Sequence, residues 1–151
     1  MAKKSRPTGK IINRRARFDY ELGESLVVGL QLTGAETKAL RIGHGTLRGA
    51  YVTIKDNELW LINAQITGDR GIQIPDNMQT RTRKLLAKRG EIDRLIAVKQ
   101  QGNTIVPLEL LTSGRFIKLR IATGRGKKQY YKRQTIKRRQ EEREIARKLK
   151  A

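Results

Sequence analysis

The stretch Ala50-Tyr-Val-Thr-Ile-Lys55-Asp56-Asn57-Glu58-Leu-Trp-Leu-Ile-Asn63 decides how this chain folds. Ala50 to Lys55 alternates in polarity and is rich in β-branched side chains; Asp56-Asn57 then supplies turn chemistry, and Glu58 to Asn63 returns with strand character. Two short strands joined by a two-residue turn make an antiparallel hairpin. A hairpin alone leaves its edges unpaired and its apolar face open to water, so further strands are required.

The flanking sequence provides them. Upstream, Ser25 to Thr33 (SLVVGLQLT) is a β-branched, aliphatic run that suits a largely buried strand, with Gly29 as a bend. Gly34-Ala-Glu-Thr-Lys-Ala-Leu-Arg41 has helix formers, a polar face of Glu36, Lys38 and Arg41, and stop signals at Gly43 and Gly45, which predicts a short helix. Downstream, residues 67–82 carry Gly, Pro, Asp and Asn without sustained periodicity and read as loop. Ile92, Leu95, Ile96 and Lys99 stand at helical spacing, which predicts an amphipathic helix from about Lys88 to Gln101, stopped by Gly102-Asn103.

A second hairpin completes the pattern. Thr104 to Leu111 is extended, Thr112-Ser-Gly114 turns, and Arg115 to Thr123 returns with Ile117, Leu119 and Ile121 inward and Lys118 and Arg120 outward. Pro107 cannot donate to a ladder, so it marks an edge or a bulge. About five strands in hairpins, with one short and one longer helix, place the chain in the mainly β class. A small antiparallel barrel of the OB type, partly open and with flanking helices, is the economical closure.

Charge divides the 151 residues further. Of the net +20, residues 1–17 hold seven Lys/Arg and no acid, and residues 125–151 hold twelve Lys/Arg against Glu141, Glu142 and Glu144. Residues 18–124 are nearly balanced, with fifteen basic and eleven acidic side chains. The reading is a basic N-terminal arm at 1–17, a folded domain at 18–124 and a basic C-terminal tail at 125–151. In that tail Ile136, Ile145 and Leu149, with Ala146, are too few to hold a helix on a core, although helix formers dominate; the tail is expected to be disordered alone and helical when bound. Dense like charge gains order only against a polyanion whose counterions it displaces, so nucleic acid is the first partner to consider.

Composition argues against other classes. There is no cysteine, hence no disulfide or thiolate metal site and no zinc finger. No apolar run approaches the roughly 20 residues of a membrane helix, and Met1-Ala-Lys-Lys-Ser-Arg-Pro leads into no signal-peptide stretch; a soluble, unprocessed, cytoplasmic chain with no membrane partner is expected. His44, the only histidine, lies between Gly43 and Gly45 and reads as a loop histidine rather than a general base. Gly124-Arg-Gly126-Lys127-Lys128 lacks the spacing of a phosphate loop. No catalytic residue, cofactor or metal is expected.

The basic segments are more informative. Asn13-Arg-Arg-Ala-Arg-Phe-Asp-Tyr20 interleaves three arginines with an amide and two aromatics: arginine grips phosphate bidentately, asparagine bonds a base or sugar edge, and aromatics stack on unpaired bases. Phe18 and Tyr20 also suit core anchors. Gln129-Tyr130-Tyr131 sits between Lys127-Lys128 and Lys132-Arg133, placing rings inside a phosphate-binding run. Glu36 fits either orientation of basic neighbours or acceptance from a ribose or base. These patterns narrow the partner to RNA with exposed bases or irregular shape, without naming the RNA.

Several motifs in order resemble one family. They are Asn13-Arg-Arg-Ala-Arg17 with Asp19-Tyr20; Leu32-Thr-Gly34, Glu36, Lys38 and Leu40-Arg41; Glu58-Leu-Trp-Leu61; Arg81-Thr-Arg-Lys-Leu-Leu86; Val106-Pro-Leu108; and Gly126-Lys-Lys128 with Lys132-Arg133. From about residue 11 to the C-terminus the chain resembles the SsrA-binding protein family, also called small protein B. The resemblance implies an OB-fold barrel that binds the tRNA-like domain of transfer-messenger RNA (tmRNA). It also implies delivery with elongation factor Tu to stalled ribosomes, where the tail meets the 16S rRNA of the small subunit at the decoding site and enters the empty mRNA channel. Free in the cytoplasm, such a protein is expected to be a monomer, and it makes or breaks no bond.

By position, the resemblance assigns RNA contact to Asn13, Arg14, Arg15, Glu36, Lys38, Arg41, Lys84 and Leu86, and decoding-site contact to Lys127, Lys128, Tyr130, Lys132 and Arg133. Three positions depart from the family's usual pattern: Val27 where Glu is frequent, Tyr131 in place of Asp, and Lys88-Arg89-Gly90 before the second helix. The alternative class is a constitutive ribosomal structural protein whose basic extensions thread through rRNA; an RNA-modifying or RNA-cleaving enzyme is a third.

Overall fold

The structure, a computed structural model, describes residues 9–126 and 129–150. Its elements in chain order are β1 (Lys10–Ile12), α1 (Ala16–Asp19), β2 (Tyr20–Leu30), α2 (Gly34–Arg41), β3 (Gly45–Thr46), β4 (Tyr51–Lys55), β5 (Glu58–Ile62) and β6 (Gln65–Ile66). A 3-10 turn (Asp76–Met78), β7 (Arg83–Leu86), α3 (Arg89–Gln100), β8 (Thr104–Leu111), β9 (Lys118–Gly126) and α4 (Gln129–Lys150) follow.

The first hairpin forms as its sequence dictates. Asp56 and Asn57 both take positive φ, 53° and 60°, the handedness that matches strand twist in a two-residue turn. Lys55 pairs with Glu58 and Val52 with Leu61, so alternation buries Val52, Leu59 and Leu61 and leaves Thr53 and Trp60 on the opposite face. Around this hairpin seven antiparallel strands take the order β1-β8-β4-β5-β7-β2-β9. β8 also pairs with β9, so the circuit β8-β4-β5-β7-β2-β9 returns to its starting strand. Strands β3 and β6 make a separate two-stranded ladder.

The sheet has more strands than the expected five. β7 is a four-residue strand between β5 and β2, with Trp60 opposite Lys84 and Gly29 opposite Leu86. It escapes a hydrophobic-alternation reading because one of its two inward residues is Arg83. β1 comes from the segment read as a cationic arm: Ile11 pairs with Leu110, and the Asn13 N–H continues the ladder to the Leu108 carbonyl at 2.8 Å. β2 starts five residues before the expected Ser25, and its register slips between Leu22 and Ser25. The irregularity therefore falls at Gly23-Glu24 and not at Gly29, which sits in regular pairing with both Leu86 and Lys118. Pro107 does mark a bulge, since the β8–β9 register shifts between Pro107 and Glu109.

Inward residues of the sheet, including Val28, Leu59, Leu85, Leu110, Leu119 and Ile121, form one core, which Ala39 and Leu40 of α2 and Ile92 and Leu95 of α3 cover. The α2 bounds match the sequence reading, and α3 starts where the Lys88 N–H donates to Glu91 Oε1 at 3.1 Å. β9 continues to Gly126, past residue 125 where the tail was expected to begin. Beyond it α4 is helical over 22 residues, with Ile136, Ile145 and Leu149 exposed and Arg139 lying 5.9 Å from the Phe18 ring centroid. Among the described residues no helix is long and apolar enough to cross a membrane.

The Asp56-Asn57 turn is testable. Replacing both with alanine keeps the β-carbons in left-handed backbone but removes the short polar side chains that make it tolerable, and should lower stability by about 1–2 kcal/mol, whereas Asn57→Gly should leave it unchanged or higher. Urea unfolding of the variants measures both.

Candidate nucleic-acid interface

Glu36 opens the site, from the first turn of α2. The Glu36 N–H donates to Thr33 Oγ1 at 3.2 Å while the Thr33 N–H donates to Glu36 Oε1 at 2.9 Å, a reciprocal cap that turns the carboxylate back toward the sheet. It was expected on the polar face with Lys38 and Arg41, yet it is 2% exposed. Its basic neighbours are not those of its own helix: Arg81 Nη2 donates to Oε1, and Arg83 Nε donates to Oε2 at 2.7 Å. Both oxygens face inward, so the surface presented to a partner does not include this carboxylate.

Arg83 is fully buried, and all five of its donors are used. Besides Glu36, Nη1 reaches the Ala64 and Arg81 carbonyls at 2.7 and 3.0 Å, and Nη2 reaches Gln79 at 3.0 Å and Met78 at 3.5 Å. Burial by itself pushes the Glu36 carboxyl up, but the bonds from Arg81, the Thr33 N–H and Arg83 outweigh it and hold the group below its ordinary range. Burial likewise lowers the Arg83 value, opposed by Glu36, and the guanidinium stays charged at neutral pH.

This cluster fixes β7 between its neighbours, and alternation does the rest. With Arg83 and Leu85 inward, Lys84 and Leu86 point out. Leu86, Gly29 and Lys118 stand in one row across β7, β2 and β9, and Gly29 contributes no side chain to fill the middle of it. An added β-carbon there would meet Leu86 Cβ at 3.1 Å. The result is an open groove of about 520 Å³ lined by Val27, Lys84, Leu86, Lys88 and Lys118, with Glu91 also in its wall and Glu58 at 2.6 Å from Lys84 Nζ at one side. Leu86 is 51% exposed, an apolar floor among ammonium groups.

A second open groove, about 770 Å³, gathers Lys10, Arg14, Arg17, Tyr20 and Arg120 with two acids, Glu21 and Glu109; Glu109 lies 3.0 Å from Arg120 and 3.9 Å from Lys10, so Arg14 and Arg17 carry most of its positive charge. Asn13 builds its wall: Nδ2 donates to the Pro107 carbonyl at 2.8 Å, fastening the segment to the bulge in β8. Arg14 is exposed. Arg15 is exposed too, 3.5 Å from Asp19 and 5.0 Å from the Phe18 ring centroid, so Phe18 has arginines 15 and 139 against it.

The remaining expected site residues separate. Lys38 is exposed on α2. Arg41 turns its guanidinium onto backbone, donating to the carbonyls of Thr112, Gly114 and Arg115 at 3.0, 2.9 and 2.9 Å. Lys127 and Lys128 lie outside the described residues, as do the side chains of Tyr130 and Lys132 on α4; Arg133 is exposed there. Sequence reasoning missed Arg81 and Arg83 as anchors and Lys118 as a groove residue, although the Arg81–Leu86 motif contains the first two. Among the described residues no group of three or more His, Cys, Asp or Glu is placed to hold a metal, and His44 Nε2 lies 3.9 Å from Asp69 Oδ2.

A small antiparallel β protein with cationic grooves on its outer face and a basic helix beyond them has the build of a polyanion-binding module. The family model described as SmpB protein matches residues 10–151, and the chain belongs to that family. An SsrA-binding protein of Synechococcus sp. (strain JA-2-3B'a(2-13)) is 46% identical over 140 residues, 91% of each chain. One of Trichormus variabilis (strain ATCC 29413 / PCC 7937) is 45% identical over 140 residues, 91% of this chain and 90% of that one. Among solved structures, a chain of "tmRNA-SmpB: a journey to the center of the bacterial ribosome" is similar with a TM-score of 0.66 at 36% identity, over 81% of this chain and 87% of its own.

Two predictions follow from the buried cluster. Because the folded state lowers the Glu36 pKa, its contribution to stability is complete above the ordinary carboxylate range and is lost as pH falls through the lowered value. Glu36→Gln should therefore be less stable at neutral pH and show a flatter decline on acidification, read by urea unfolding across pH. Arg83→Met removes one of the three donors to a buried carboxylate, the one that serves Oε2, and should cost about 3–5 kcal/mol in the same assay.

Proposed function

We propose that this chain is the RNA-binding adaptor of trans-translation: it binds the tRNA-like domain of tmRNA and carries it to ribosomes stalled without a stop codon. The observation that carries this reading is a family match that runs from β1 through the end of α4, so that it includes the sheet, both cationic grooves and the basic helix. The Lys84–Leu86–Lys118 groove and the Arg14–Arg17 groove offer ammonium and guanidinium groups to phosphates, with apolar and aromatic surface for bases. The closed pairing circuit supports an OB-type barrel as the scaffold.

In this reading residues 125–151 are the ribosome-directed part. Lys127, Lys128, Tyr130, Lys132 and Arg133 meet the decoding site, where 16S rRNA supplies a polyanion for the twelve basic residues of this segment. Elongation factor Tu joins through the RNA, the free protein is a cytoplasmic monomer, and the chain performs no catalysis. Glu36 and Arg41 act on the RNA through the surfaces they position, while Asn13, Arg14, Arg15, Lys38, Lys84 and Leu86 stand on or beside those surfaces.

The test uses the full chain and the tRNA-like domain. Affinity should fall steeply with salt and exceed that for duplex DNA of equal length; equal affinity for both would overturn the reading. Truncation after Gly126 leaves β9 whole and should preserve RNA binding while abolishing tagging of stalled products. Loss of RNA binding in that truncation would refute the division between sheet and tail.

A further inference from the structure

The hairpin joining β8 to β9 ends in Ser113-Gly114-Arg115-Phe116, and Phe116 is 70% exposed. Its neighbour Ile117 is buried, so strand alternation accounts for the outward direction but not for an aromatic ring being there. The tip is held from two sides. Arg41 of α2 donates to the carbonyls of Thr112, Gly114 and Arg115, and the Thr112 N–H donates to the Gly9 carbonyl at 2.8 Å. A backbone fixed this way presents the ring at a set position with little left to order on binding.

The surroundings say what the ring is set for. The Arg115 guanidinium lies 5.6 Å from the Phe116 ring centroid. Below the ring is an open groove whose lining includes Gly9, Lys10, Leu111, Ser113 and Lys118 and no acidic side chain. Lys118 also lines the Lys84–Leu86 groove, so the two grooves adjoin at this residue, and the acids Glu58 and Glu91 belong to the other one. An exposed ring on a held backbone, beside a guanidinium and above a groove with Lys10 and Lys118, is the chemistry of base stacking with phosphate contact on either side. An apolar or acidic protein segment would use the ring or the cations, whereas an unstacked nucleotide uses both.

We infer that Phe116 is a stacking platform for an unpaired base of the bound RNA, with Arg115 and Lys118 on the adjoining phosphates and Arg41 as the residue that positions the tip. This rests on the RNA-binding function proposed above and adds a contact that the motifs did not assign.

Binding of the full chain to the tRNA-like domain tests it. Phe116→Ala should keep the wild-type melting temperature, because the ring is outside the core, yet bind about 5- to 150-fold more weakly, as expected for loss of one stacked base. Phe116→Trp should restore affinity and Phe116→Leu should not. The salt dependence should be unchanged in Phe116→Ala and shallower by about one unit of slope in Arg115→Ala. Wild-type affinity in Phe116→Ala or Phe116→Leu, alongside weakened binding in Lys84→Ala, would overturn the stacking site and leave the RNA-binding function standing. If the wild-type chain itself failed to prefer this RNA over duplex DNA, the function and the stacking site would fall together.

Discussion

One buried carboxylate held by two arginines is the constraint on which the working surface depends. Two charges removed from water, with a third at the edge, are tolerable only when the buried ones are paired and their remaining hydrogen-bonding capacity is filled, and here the condition is met: Glu36 takes the half-buried Arg81 and the buried Arg83, and Arg83 spends all five donors. Because those donors end on Ala64, Met78, Gln79 and Arg81, the cluster ties α2, the end of β6's approach and the loop before β7 to one point. An apolar core of the same volume would offer no such directional ties. The arrangement sets where β7 lies and which of its residues face out.

From there the outer face follows by geometry. An inward Arg83 forces Lys84 outward, and an inward Leu85 forces Leu86 outward; the bare backbone of Gly29 between Leu86 and Lys118 keeps the row open. Asn13 and Arg41 work in the same manner at other places, each donating to carbonyls of β8 or its turn. The polar residues that the family motifs single out thus divide into those that build the surface and those that stand on it. Such a division is expected where a flexible polyanion must be met by preplaced charges.

Much of this was legible in the residues themselves, for identifiable reasons. Asp56-Asn57 announces its hairpin because few residues accept two successive positive φ values; α2 announces itself through helix formers and the glycines that stop it, and α3 through helical spacing. Pro107 declared its bulge because it lacks an N–H. β7 was illegible because its inward position is filled by arginine, a choice that makes sense only once Glu36 is seen across from it, 47 residues away in sequence. β1 was hidden by the charge of its surroundings, since a three-residue strand cannot outweigh seven basic neighbours in any composition-based reading. Of the site, Lys84 and Leu86 were reached only through resemblance to a family; Lys118 and Phe116 carry no local signal beyond an outward place in a strand or turn.

In the proposed function Glu36 serves RNA recognition through the position of β7 and not by touching RNA. Amide hydrogen exchange over residues 81–86 of Glu36→Gln, measured together with its affinity for the tRNA-like domain, tests this directly. Exchange in β7 should rise and affinity should fall together, and Arg83→Lys should do the same in the folded protein. A loss of affinity with unchanged exchange in β7 would contradict that role, because Glu36 would then be acting at the RNA itself.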